Sequence, residues 1–126
     1  MIARALFAVF ALALAACTSG PVAPDWQTDS HSAMGRFTSA YLSGNSRLAE
    51  SDFARARSEL ARTGRFDLVA RAELVRCGVR VASLEFNEFN ELDECPGFAA
   101  LASDAGTAEL AYAAFLSGQP ADPALL

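Results

Sequence analysis

Apolar residues recur at helical spacing along most of this chain. Met34, Phe37 and Tyr41 stand at i, i+3 and i+7. Ala49, Phe53, Ala56 and Leu60 follow at steps of four, three and four, and Leu68, Ala72, Val75, Val79, Ala82 and Phe86 keep the same rhythm for longer. Each set falls on one side of a 3.6-residue turn, so each predicts an amphipathic helix. Ser30 and Ser32 are good N-caps and place the start of helix one there. Gly44-Asn45 ends it, and Gly64 ends helix two, which spans about 46–63. Helix three starts around 65–67. Val69, Leu74, Val81 and Leu84 widen its apolar arc, which predicts that it is central and the most buried. Pro96 opens a last helical region with Phe98, Leu101 and Ala102, and Asp104 and Gly106 predict a break in it. Thr107 to Leu116 resumes the helix. Gly118 stops it, and Pro120 and Pro123 forbid easy continuation. No segment alternates with a strand period backed by turn chemistry. The expected fold is all-α, a small bundle of four to five helices in antiparallel hairpins.

The first thirty residues follow another pattern. Arg4 gives one positive charge, and Ala5 to Ala13 is apolar throughout, the layout of a secretory signal. The run is too short for a hydrocarbon core that needs about 20 apolar helical residues. Thr18 to Ser30 holds Gly20, Pro21, Pro24 and small polar residues, and reads as a tether. At the junction stands Leu14-Ala15-Ala16-Cys17. It resembles the lipobox of bacterial lipoproteins: Leu, two small residues, then Cys. The resemblance implies cleavage before Cys17, a diacylglycerol thioether on its sulfur and an acyl chain on its new amine. More than one chain is what stable anchoring requires. Thr18 rather than Asp after the cysteine implies, by the same resemblance, the outer membrane with the body facing the periplasm. The alternative is an ordinary signal peptide with Cys17 incidental. The expected organisation is a signal peptide at 1–16, a lipidated tether at 17–30, a helical domain at 31–118 and a loose tail at 119–126. That tail ends on Leu125-Leu126, as if short of a further helix. Trp26, the sole Trp, belongs either at headgroup level or against the body.

Charge narrows the partners. The 126 residues carry a formal −5, which becomes −6 when Arg4 leaves with the signal peptide. An acidic chain argues against nucleic acid and against electrostatic binding to anionic headgroups. The expected membrane contact is the lipid on Cys17. Residues 36–80 hold nine Arg against five acids, whereas 85–126 hold eight acids and no base. Opposed ends suit a charged partner or head-to-tail contact between copies. The plainer account is solvated helix faces laced by pairs such as Arg55–Glu59 and Asp52–Arg55.

With Cys17 lipidated, Cys77 and Cys95 remain as an even pair in an oxidising compartment, and a disulfide between them is predicted. Two separate buried thiols are the alternative. A bridge closing about 18 residues is worth roughly 3 kcal/mol in the chain-entropy account. It also limits helix three: every residue beyond Cys77 adds about 1.5 Å that the chain must recover, so the helix stops near Glu85 to Asn87.

Candidate chemistry is sparse. Glu85 to Glu94 crowds five acids and two Asn, but Asn87, Asn90 and Asp93 lie three apart and lack the spacing and glycine of an EF-hand. His31 is the single imidazole and there is no CxxC, so no metal site is expected. No serine lies in G-x-S-x-G. No catalytic residue, cofactor or enzymatic activity is expected. The alternative enzyme would be a small cell-envelope hydrolase using carboxylates among Glu88, Glu91 and Glu94. A purely structural lipoprotein is the other alternative.

Gly44, Ala49, Phe53 and Ala56, preceded by Tyr41, resemble the second half of a tetratricopeptide repeat. Ala33, Arg36 and Phe37 depart from its first half and no Pro closes it. Tyr41-Leu42-Ser43-Gly44 is echoed by Phe115-Leu116-Ser117-Gly118 at about two repeat lengths. The resemblance implies a concave helical surface that binds peptides or proteins. The expected role is a membrane-anchored periplasmic lipoprotein acting as a non-enzymatic interaction or envelope-assembly accessory. Its contact surfaces would be the first hairpin, through Arg55 and Arg62, and the acidic loop, through Glu88, Glu91 and Glu94. Its partner would be an envelope protein.

Overall fold

One helix belongs to both hydrophobic clusters of this chain, and that sharing organises the fold. A computed structural model describes residues 22–85 and 95–126. The elements are α1 (Asp25–Leu42), α2 (Ser46–Ala61), α3 (Phe66–Ala82), α4 (Pro96–Ala99) and α5 (Thr107–Leu116), with 3-10 turns at Ala102–Asp104 and Pro123–Leu125. The described chain is all helix and turn, as the periodicity predicts. Helix α3 touches each of the other four α-helices, so its predicted central place holds.

Helices α1 and α2 form a hairpin. Phe37 and Phe53 meet with ring centroids 5.3 Å apart and tilted. Ala33, Ala40, Ala49 and Ala56 are buried around them. Methyl side chains let the two backbones approach, so the large rings supply the volume. Leu60, Val69 and Ala72 complete this first cluster. Ala70, Leu74 and Cys77, on another side of α3, pack with Phe98 and Leu116 in a second.

Helix α1 starts at Asp25 rather than near Ser30, so 25–30, expected as tether, is helical. Its N-cap is Pro24, whose carbonyl accepts from Gln27 and Thr28. Asp25 puts negative charge in the first turn, near the positive end of the helix dipole. Ser30 is no cap: it is buried and donates its hydroxyl to the Gln27 carbonyl. The extension lets Trp26 pack against the first cluster. That decides between its two expected places.

The buried arc of α3 also differs from the expected one. Val69, Ala70, Ala72, Glu73, Leu74 and Cys77 are buried, while Val75 is 41% exposed and Ala82 is exposed. The regular Leu68–Ala72–Val75 stripe is therefore not the centre of the core. A helix gripped from two sides buries an arc set by its neighbours, not by its own moment.

Three helices end alike. At α1 the Asn45 amide donates to Ala40 and Gly44 to Tyr41; at α5 Gln119 donates to Ala114 and Gly118 to Phe115; at α3 Glu85 donates to Arg80 and Leu84 to Val81. These are Schellman stops, which put the C′ residue in left-handed backbone. Gly44 and Gly118 have φ of 79° and 71° there, and Leu84 has 53°. The echo of Tyr41–Gly44 in Phe115–Gly118 is this shared stop. Leu84 carries the steric penalty of that backbone and is 69% exposed, so its side chain returns little. Leu84→Gly is expected to stabilise the protein by a few tenths to about 1 kcal/mol, read by urea denaturation.

The stop at Ala82 comes three residues before the limit expected from the bridge. Cys77 and Cys95 lie at disulfide distance, with Cα atoms 5.3 Å apart. Cys95 caps α4, and its carbonyl accepts from Ala99. A Cβ on Gly97 would overlap the buried Glu73 carboxylate, so any larger residue there would have to displace that side chain.

Candidate functional site

Helices α1 and α3 lie side by side without filling the space between them. The groove they leave has a volume of about 660 Å³. Trp26, Ser30, His31, Met34, Gly35 and Thr38 line its α1 wall, and Arg65, Leu68, Arg71 and Val75 its α3 wall. Leu60 and Ala72, both buried, belong to its lining as well. The spacing explains the arrangement. On α1, Trp26, Ser30, Met34 and Thr38 are four apart. On α3, Leu68, Ala72 and Val75 are the most regular apolar series in the chain, and they form a groove wall.

Two properties set this groove apart. No carboxylate lines it among the described residues, although the chain is acidic overall. Its charged lining is Arg65 and Arg71, which pair outward with Asp67 and Glu109. The Arg71 Nε donates to Glu109 at 2.8 Å, and that bond holds the Glu109 carboxyl below its ordinary range. The second property is Gly35. It sits inside α1, where glycine costs about 1 kcal/mol relative to Ala. Nothing lies within 4 Å of where its Cβ would be. Packing among the described residues therefore does not require a glycine at 35.

The ion pairs differ from those expected. Asp52 and Glu59 do not pair with Arg55. Asp52 accepts from Arg36 Nε at 2.9 Å and Glu59 pairs with Arg62. Half of the pairs among the described residues run between helices: Arg36–Asp52, Arg57–Glu73, Arg76–Glu50 and Arg71–Glu109. Asp52 and Glu50 on α2 face arginines of α1 and α3, Glu73 on α3 faces Arg57 of α2, and Glu109 on α5 faces Arg71 of α3. Asp52 and Glu73 are the two buried acids among the described residues. Each takes an Nε–H from an arginine whose side chain is about half exposed. Such pairs set the relative placement of the helices more than they add stability. One Asp52 oxygen is buried with no hydrogen-bond partner among the described residues. Tyr41 donates to Glu85, tying the end of α1 to the end of α3. Burial, then that carboxylate, pushes the Tyr41 phenol above its ordinary value.

Arg55 and Arg62 are both exposed on α2 and neither lines the groove. Arg55 makes no ion pair among the described residues, while Arg62 is held by Glu59. Glu88, Glu91 and Glu94 lie outside the described residues, as does Cys17, so the acidic segment and the lipid site are not placed. His31 is on α1 and lines the groove, not a tether. Among the described residues no cluster of three or more His, Cys, Asp or Glu could hold a metal ion. No described helix is long and apolar enough to cross a membrane.

The groove was the part that sequence reasoning missed. Its signals were present: a tryptophan and a mid-helix glycine on α1, and the longest apolar period on α3. What was hidden was that α1 and α3 are neighbours. No family model matches this chain, and no curated protein or solved structure matches it either.

Proposed function

We propose that this protein is a lipid-anchored envelope lipoprotein that works by contact, its α1/α3 groove receiving an apolar helix face of another protein. The groove carries this reading. A half-exposed wall built from the most regular apolar stripe of the chain is a surface that burial rewards at about 25 cal/mol per Å². Helix-in-groove recognition uses such a surface. The partial likeness to a tetratricopeptide repeat supports it, because that family presents a concave helical surface. The contact surface is thereby moved from Arg55 and Arg62, on the outside of the hairpin, to the gap between its first helix and α3.

The address rests on Leu14-Ala15-Ala16-Cys17 and on Thr18. Export to the outer membrane with the body in the periplasm follows from that lipobox. Asp25, where α1 begins, is eight residue steps from Cys17, and extended chain spans at most about 28 Å over that length. Trp26, at the start of the groove, is then held near the membrane surface, within reach of partners anchored in the same leaflet. A chain fixed to a surface meets such partners at raised effective concentration.

Intact-mass analysis of the protein purified from membranes tests the address. The expected species begins at Cys17 and carries a diacylglyceryl group and an N-acyl chain. A bare Cys17 sulfur, or an N-terminus elsewhere, refutes it.

A further inference from the structure

We propose that the Cys77–Cys95 bridge is an exchange site for a small thiol, and that opening it releases helix α4 from the body. This rests on the address and not on the groove, because a bridge of this kind forms and persists outside the cytosol.

The bridge is not sealed in the core. It stands on the wall of a pocket of about 150 Å³ that is partly open to solvent. Glu73, Arg76, Cys77 and Arg80 of α3 form one side, and Cys95, Pro96 and Gly97 the other. One water needs about 10–15 Å³ of such space, so the pocket admits several waters or the sulfur end of a small thiol. A folded protein does not fit there. The two cysteines are also unequal. Cys77 is buried on the central helix and packed in the second cluster. Cys95 is partly exposed at the cap of α4, with exposed Pro96 beside it. Access therefore selects Cys95 as the sulfur attacked and Cys77 as the one released. Charge does not make that choice, since Arg76 pairs with Glu50 and Arg80 with Glu85.

The step exchanges one disulfide for another. A thiolate, RS⁻, attacks Cys95 Sγ. An RS–Sγ bond forms, the Cys77–Cys95 bond breaks, and its electron pair leaves on Cys77 Sγ, which takes a proton from water. A second thiolate attacking the sulfur of R completes the reduction and leaves with it as RSSR. Attack of the Cys77 thiolate on the Cys95 adduct restores the bridge instead. With the bridge open, α4 keeps Phe98 as its buried anchor, and four helical residues do not persist alone. Phe98 then leaves Ala70, Leu74 and Leu116, and part of the second cluster meets solvent. Thiol concentration is thereby converted into an apolar surface on α3 that the bridged form covers.

The test treats the intact protein, purified from membranes in detergent, with reduced glutathione. Samples quenched in acid at early times and then alkylated are mapped by mass spectrometry. Glutathione is expected on Cys95 and the alkyl group on Cys77. Once the bridge is open, amide exchange at Ala99 and Ala100 is expected to quicken at least tenfold, with the α1–α2 hairpin unchanged. Phe37→Ala separates attack on the native state from attack on the unfolded chain, because Phe37 belongs to the other cluster. Native-state exchange leaves the reduction rate of this variant within about twofold of the parent, whereas a route through global unfolding speeds it at least about a hundredfold. Sub-denaturing urea makes the same comparison in the unaltered chain. A bridge that glutathione does not open, reduction that follows global stability, an early adduct on Cys77, or α4 still protected after reduction overturns the inference. Glutathione found on Cys17 refutes the address instead, and the map tells the two failures apart.

Discussion

Phe37→Ala will lower the stability of this domain by about 3–5 kcal/mol, more than any other single truncation in the hairpin. Phe37 is fully buried, and its ring lies against Phe53 on α2 and, at 5.8 Å, against Tyr41 one turn on. Its other neighbours in the cluster include Ala40, Ala49 and Ala72. Alanines have no rotamers with which to refill a cavity, so the hole closes only if helices move, and the inter-helix ion pairs and the short α1–α2 turn resist that. The cost is therefore the transfer of a phenyl ring plus most of the cavity term. A small domain is stable by about 5–15 kcal/mol, so this is a large share. The melting temperature should fall by at least about 12 °C, at 4–8 °C per kcal/mol. Phe37→Leu keeps most of the volume and should recover most of the loss. A urea midpoint for Phe37→Ala within about 1 kcal/mol of the parent would show that the Phe37–Phe53 contact does not hold the hairpin.

Breaking the Cys77–Cys95 link should cost about 3 kcal/mol, because it restores freedom to a loop of 18 residues in the unfolded chain. The native state should respond locally as well. Helix α4 is four residues long, too short to persist alone. Cys95, at its cap, and Phe98, buried to 4%, are what fix it against α3. Without the bridge, α4 should open before the α1–α2 hairpin does, giving a two-step loss of amide-exchange protection: Ala99 and Ala100 first, the hairpin later. Cys95→Ala is the better probe, since Cys77 is itself packed in the second cluster and its replacement adds a packing loss. Under reducing conditions parent and Cys95→Ala should melt together, and under oxidising conditions only the parent should gain. A melting temperature that ignores reductant would mean that the two sulfurs do not carry the α3–α4 contact.

Much of the local structure was readable from residue order. Helix α5 begins and ends where Gly106, Gly118 and the prolines say it should. Helix α2 ends within two residues of the expected place, and Pro96 opens α4. These are local events: a helix stops where the next residue takes left-handed backbone or lacks an amide, and such preferences act over a few residues. The start of α1 lies five residues before Ser30, although Ser30 is a good cap in isolation. Burial of Trp26 outweighs that preference, and burial depends on residues far along the chain.

The ion pairs and the groove show the same division. From spacing alone Arg55 has Asp52 and Glu59 within reach, yet Asp52 pairs with Arg36, sixteen residues away. The acid follows the nearest helix, not the nearest sequence position. The groove needs α1 and α3 to lie side by side, which depends on how the α1–α2 hairpin tilts against α3. No periodicity records that tilt.

The order of residues by itself determined an all-helical fold class, the points at which most helices stop and the cysteine pair, because turn chemistry and periodicity are local. Only the tertiary structure decided which faces are buried. It turned the most regular apolar stripe into a groove wall, set Phe37 against Phe53, and left Phe115 on α5 exposed while Leu116 is buried, because burial is a property of neighbours and the chain chooses its neighbours only on folding.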